Sequence, residues 1–430
     1  MNKNMRQVSL LLVLALCVGC THSLSVAPTA NALTPTPTVN AAPTTYTVPQ
    51  ADDILSCKLY GQFQAQTGNT FFSPFSIISC LAMAQEGAAN TTATQMQTVL
   101  NLNHNAAARQ QGFQQLLNQL NANASSYTLD IADNIWVQQG FNILPSYTTT
   151  LQTYYDAGVA NVDFIGNLTG AVNTVNNAIS QETGGFIPTI LSTNDVNAST
   201  KLILTNAIYF QAKWQTAFTL ADTDQETFYL TPNTSETVTM MHVNLAANLG
   251  NFNGAASVLA IPYLNNKASM YVFLPTNGIG ALENGMTGNN LSAWLASNAA
   301  NLTTAPVITL ANPAVSLSLP KFSYATSYDL TSSLEQIGMT LPFNPGQANF
   351  SGIDGQQDLS IAKVLHQAYV AVGEIATTAT AATVGIITRT GVAMPPGPAT
   401  TPFLVNQPFI FAIVDNTTNT VLFMGQVNTP

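Results

Sequence analysis

The chain is predicted to be a mixed α+β protein built around a substantial sheet, on three observations. Its 430 residues are 46% hydrophobic, ample for a large buried core. Apolar residues recur at helical spacing mainly in the first half. Short β-branched and aromatic runs bounded by turn residues crowd the second half.

In chain order, the helical period is carried by residues 52–66, 76–86, 92–100 and 167–183. Strand-like runs follow at 202–210, 256–262, 268–274, 314–319, 409–414 and 421–425. Between them, Gly278-Ile279-Gly280 reads as a turn. Length alone suggests two or three domains. No internal repeat interrupts the body and no second Pro/Thr-rich stretch occurs before about 394, so 51–430 is predicted to be one domain.

The front of the chain reads as an address. Lys3 and Arg6 precede an apolar run from Val8 to Val18, too short for a permanent membrane span, and the segment 1–20 ends in Val18-Gly19-Cys20. A small residue before Cys20 resembles a lipobox, in which the cysteine is acylated and becomes the new N-terminus, although Cys17 stands where Leu is usual. Lipid anchoring and ordinary signal cleavage with secretion both remain open. With Cys20 acylated, Thr21 after it points to an outer-membrane or cell-surface destination. Residues 21–50 are Pro, Thr, Ala and Asn without an apolar period, the composition of an extended tether or a plain disordered extension.

Composition and motifs exclude several functions. Only 7% of residues are charged, and ten Lys plus Arg against twenty Asp plus Glu leave a net charge of −10, with no basic patch for nucleic acid. Four cysteines without two CxxC units argue against a disulfide framework or a zinc site. Cys57 and Cys80 fall on the first two helices, as a disulfide or as two buried thiols. His22, His104, His242 and His366 carry no ligand signature, so no metal and no cofactor are expected. GxSxG, HExxH, Walker and GxGxxG patterns are absent, which argues against an enzyme.

One set of segments in fixed order carries more information. Asn69-Thr-Phe-Phe-Ser-Pro-Phe-Ser-Ile-Ile-Ser-Cys-Leu-Ala-Met83 continues to Gly87-Ala88 and Thr94-Gln95-Met96. Leu204-Thr-Asn-Ala-Ile-Tyr-Phe-Gln-Ala-Lys-Trp214 comes next, then Phe218 and Phe228-Tyr229. Met240-Met241, Ile261-Pro262-Tyr263, Val272-Phe-Leu-Pro275, Leu319-Pro-Lys-Phe322 and Leu334 through Gly338-Met339 follow. Val364-Leu-His-Gln-Ala-Tyr-Val370, Pro408-Phe-Ile-Phe411 and Leu422-Phe-Met-Gly425 complete the series. Together they resemble the serpins over roughly 51–430. The resemblance implies three β-sheets, about eight to nine helices, an exposed reactive-centre loop at about 374–403 and a monomer. It also implies a suicide mechanism, in which a protease cleaves the loop and the freed strand inserts into the main sheet.

The loop can also be read from its own residues. Ala376-Thr377-Thr378-Ala379-Thr380-Ala381-Ala382-Thr383 are all small. As a strand, one face would present Thr377, Ala379, Ala381 and Thr383, none charged or bulky, so it could enter a packed sheet at little cost. The bland alternative is a flexible Ala/Thr spacer. Glu374, Ile375 and Ala376 depart from the family's two acids and Gly at the hinge, which costs backbone freedom. Thr377 matches the hinge threonine, while Thr378 replaces a common acid.

Counted forward from Glu374 with the loop length usual in that family, the resemblance implies a cleaved bond at Thr390–Gly391, or at the favoured Arg389–Thr390 with a loop one residue shorter, and leaves Met394 in the Pro-rich return as the lesser candidate. An Arg before the bond would attract trypsin-like endopeptidases; a merely solubilising Arg389 is the plain alternative. His366 matches a family histidine beneath the sheet, with Ser73, Ser76 and Asn206 matching its partners in controlling sheet opening. Trp214 matches the residue under the top of the sheet. The expected function is suicide inhibition of serine, or cysteine, endopeptidases; the alternative is a non-inhibitory binding or substrate-like relative.

Overall fold

A computed structural model describes residues 46–64, 68–304, 314–377 and 400–430. Caps fix where the helices start. Thr47 accepts from the Gln50 amide while the Gln50 side chain bonds back to Thr47, and Pro49 occupies the first turn of α1 (Val48–Phe63). The helix therefore begins before the expected 52–66, and residues 48–50, read as tether, are helical. After β1 (Thr70–Phe72), Ser73 caps α2 (Pro74–Gly87) through the Ser76 amide. Asn101, with φ of 56°, ends α3 (Asn90–Leu100) in the left-handed region. Asn105 caps α4 (Ala106–Asn121), and β2 (Thr128–Gln138), α5 (Pro145–Tyr154) and β3 (Gly158–Val162) precede α6 (Leu168–Glu182), capped by Asn167.

The second half is richer in strands: β4 (Leu202–Lys213), β5 (Thr223–Thr231), β6 (Thr234–Leu245), β7 (Leu249–Phe252), β8 (Ala256–Pro262) and β9 (Ala268–Pro275). Helices α7 (Ile279–Gly285) and α8 (Gly288–Thr303) lead to β10 (Ala314–Pro320) and β11 (Phe322–Asp329). Then come α9 (Thr331–Gln336), α10 (Ser351–Asp354), β12 (Ile361–Val372), β13 (Ala376–Thr377), β14 (Thr400–Leu404), β15 (Phe409–Asp415) and β16 (Val421–Val427). Among the described residues there are ten α-helices, where the resemblance implied about eight to nine; α7, α9 and α10 are short, of seven, six and four residues. The expected turn at 278–280 is instead the start of α7: Gly278, at φ 84°, is its N-cap, and Ile279 and Gly280 are already helical.

Three sheets result, in strand orders β1-β16-β15-β9-β8-β7, β14-β10-β6-β5 and β11-β12-β13-β4-β2-β3. The first is nearly all core: every residue of β15 and β16 is buried. Gly425 is required there, since a Cβ would lie 2.7 Å from both the Phe411 ring and the Thr70 carbonyl oxygen. Helix α2 is buried almost all round, as its apolar composition dictates, and its N-terminus contacts both β16 and the third sheet. Cys57 and Cys80 are buried, free thiols.

The third sheet positions the site. β4 runs antiparallel to β2 on one side and parallel to β12 on the other, from Ile361↔Leu202 to Ala368↔Ile208. Above that register the two strands diverge and admit β13, which pairs antiparallel with both, through Thr377↔Ala212 and Thr377↔Val372. On the return side, residues 400–404, which the sequence reading put partly in the loop, form edge strand β14. Pro402 is tolerated there because an edge strand can do without one ladder donor.

Candidate functional site

The β4–β12 seam is held by one polar cluster near its middle and by a clasp at its top. His366 and Asn206 are directly opposed across the parallel pair. The Ser73 amide donates to His366 Nε2 at 3.1 Å, so the ring proton sits on Nδ1, which donates to Asn206 Oδ1. Burial holds the imidazole neutral, its pKa pushed down to about 3. The Asn206 amide group donates in turn to Ser76 Oγ and Asp133 Oδ1, and Ser76 Oγ donates to Asp133 at 2.9 Å. Ser73 Oγ, which caps α2, donates to the Leu422 carbonyl at 2.6 Å. The cluster therefore ties β12, β4, β2, α2 and β16 together.

Four expected residues, Ser73, Ser76, Asn206 and His366, thus meet in one network. Asp133 was not foreseen. Two acids, Asp130 and Asp133, fall among Leu129, Ile131, Ala132 and Ile135-Trp136-Val137 in β2, and an acid amid such apolar neighbours is the signal that could have exposed it. Burial pushes its carboxyl up to about 7, against the pull of bonds from Ser76 and Asn206.

At the top, Trp214 and the hinge are brought together. The Trp214 ring stacks on Tyr263 at 4.5 Å, its Nε1 donates to the Gly373 carbonyl, and its amide donates to the Ile375 carbonyl. The Phe218 amide donates to the Glu374 carbonyl, and Lys321 pairs with the Glu374 carboxylate at 2.9 Å. Ala376 and Thr377 are 3% and 1% exposed, and the Thr377 hydroxyl bonds the buried Tyr263 hydroxyl at 2.8 Å. Thr377 thus points into the core. A cavity of about 590 Å³ borders this clasp, between Phe218, Leu220, Phe322 and Ile375. Thr378, Ala379, Thr380, Ala381, Ala382, Thr383, Arg389, Thr390, Gly391, Met394 and Cys20 lie outside the described residues.

One further cluster could hold a metal ion. His242 Nε2 lies 3.3 Å from both Asp224 and Glu226 on the β5–β6 pair, remote in sequence and so invisible as a ligand motif. Among the described residues no helix is long and apolar enough to cross a membrane.

The site is thus a six-stranded sheet whose central strands β4 and β12 part at one end, a chain segment seated between them there, and a buried polar cluster across the pair below. The family described as serpin (serine protease inhibitor) matches residues 50–430, and the chain belongs to it. An uncharacterized serpin-like protein of Methanosarcina acetivorans is 32% identical over 97% of this chain and 96% of its own. Leukocyte elastase inhibitor A of Rattus norvegicus is 34% identical over 85% of this chain and 94% of its own. The crystal structure of a highly specific serpin of the insect Tenebrio molitor superposes with a TM-score of 0.75 at 25% identity, covering 89% of this chain and 98% of that one.

Proposed function

We propose that this protein is a suicide inhibitor of serine endopeptidases. The observation that carries the reading is β13: Ala376 and Thr377, the first two residues of the small run, are already buried between β4 and β12, and the next six residues, 378–383, are all small. A target's nucleophile would attack the carbonyl of Arg389, with Thr390 and Met394 as the other candidates, and expel the amine of the next residue. The segment that bears the acyl ester, severed from the return side of the loop, would extend β13 downward between β4 and β12, making backbone bonds to both. That movement would carry the acylated protease along before water reaches the ester. Membership of a family that includes an elastase inhibitor supports this reading. Arg389 favours a trypsin-like target.

An export signal ending at Cys20, with a surface lipid anchor or secretion, belongs to the same proposal; such a protein would shield a cell from external proteases. A second reading, a non-inhibitory member of the fold, is favoured by Ile375 and Ala376, which stiffen the hinge. The test mixes the protein with trypsin, subtilisin, elastase and a papain-like protease, followed by denaturing gels and intact mass. A complex surviving denaturation is expected, with the released C-terminal peptide beginning at Thr390. Clean cleavage across the panel without complex overturns inhibition in favour of the second reading.

A further inference from the structure

We propose that Asp133 is a proton-operated positioning residue for sheet opening: through Asn206 its carboxyl sets how readily β4 parts from β12, and losing its proton loosens the seam. This rests on the insertion step of the proposed function. The argument begins with topology. Asp133 on β2 is the direct register partner of Asn206 on β4, and Asn206 is the direct partner of His366 on β12. Asn206 is the middle member of this row. Its amide nitrogen serves Asp133 and Ser76, while its oxygen takes the proton of His366 across the seam that must open.

The carboxyl is unequally supported. Oδ1 receives the bonds from Ser76 and Asn206, whereas Oδ2 is buried without a partner at hydrogen-bond distance, the Ser79 hydroxyl alone lending the carboxyl a further, weaker pull toward ionisation. A proton on the acid suits that burial; a full charge does not. When β12 leaves, Asn206 loses its His366 bond, and water entering the gap reaches the row that ends at Asp133. Hydration favours the ionised acid, so opening releases a proton and is promoted as pH rises. A cavity of about 520 Å³ on the other side of β2, lined by Asp133 itself, gives that proton a path to solvent.

Several titratable groups surround Asp133. Burial pushes its own carboxyl up to about 7. Across the seam His366 is pushed down to about 3, and Cys80 on α2 and Tyr155 beyond α5 are pushed further up from already high values. Glu182 on α6 and Asp130 on β2 are also raised by burial, and Asp156 lines the same cavity. Glu182 and Asp130 are therefore the competitors to control for.

The test measures seam opening without any protease. A capped, fluorescent peptide of residues 378–388, which contains no acid or base, is annealed to the full protein between pH 5.5 and 8.0. The wild-type rate should rise roughly tenfold, the scale of one proton released over about one pH unit. Asp133→Asn, with Asp133→Ser as a second uncharged variant, should anneal at the slow acid rate at every pH. Glu182→Gln and Asp130→Asn should keep the wild-type profile. A flat wild-type profile, or the same rise in Asp133→Asn, overturns the inference while leaving insertion standing. A peptide that anneals at no pH overturns insertion itself, and this inference with it.

Discussion

At the residue scale, two small side chains of the loop run, Thr377 and Ala379, differ in what they allow. Thr377 is buried against Tyr263 in the uncleaved protein, so Thr377→Arg forces a charge into the core before any protease arrives. Its melting temperature should fall and its inhibition should vanish. Ala379→Glu places the charge two residues on, the same face by strand alternation, where insertion would bury it. That variant should melt like wild type yet be cleaved as a plain substrate. Gel assays with the protease that forms the wild-type complex, together with calorimetry, distinguish the two; retained complexes in both would sink the insertion mechanism. Asp133 teaches the converse lesson about reading residues. Ser73, Ser76, Asn206 and His366 were legible through family motifs, whereas Asp133 belongs to no motif and gains its importance only from register with Asn206.

At the scale of elements, the hinge from Gly373 to Thr377 is fastened mostly by backbone bonds, with one ion pair. Lys321 is half exposed, so its pair with Glu374 contributes at most about 1 kcal/mol and is screened by salt. Glu374→Gln should therefore speed subtilisin nicking of the hinge a few-fold at low salt and not at 1 M salt; equal effects at both would assign the loosening to packing. Legibility at this scale followed continuous apolar composition. Strands β8, β9, β15 and β16 were readable because they are nearly continuous apolar runs. The β5–β6 hairpin was not, because its strands are Thr-, Glu- and Gln-rich and largely exposed, without a clean alternation. Helix α1 was found but started late, since its first turn rests on the Thr47–Gln50 box rather than on apolar spacing.

At the scale of the whole molecule, a chain so poor in charge has buried several of its acids. Burial raises Asp52 and, to about 8, Asp53, while Asp133 rises to about 7. Unfolded, each would titrate near 3.9. The fold thus binds more protons than the unfolded chain between about pH 4 and 8, and stability falls as pH rises through that window, by at most about 1.4 kcal/mol per group per unit. His366 acts oppositely, since its depressed pKa makes stability fall as pH drops from about 6.5 toward 3. Three acids outweigh one histidine, and the melting temperature should be higher at pH 5 than at pH 8. The reverse order would mean these acids are not buried as described. A second calorimetric expectation concerns cleavage: the loop-cleaved protein should melt above the intact one, and coincident transitions would mark a form with no strand left to insert.

The seating of β13 also solves a problem of phase. The run 376–383 has two Thr and two Ala on each face, so nothing in its composition tells an incoming strand which side is which. Such two-faced strands are prone to slip by one residue. With Ala376 opposite Lys213 and Thr377 opposite Ala212, the reading frame of a strand inserted by the proposed mechanism would be declared before any cut. A single-residue deletion within 378–383 would then shift the parity of everything downstream, bringing Arg389 one step nearer the hinge while the run itself accommodates the change without complaint.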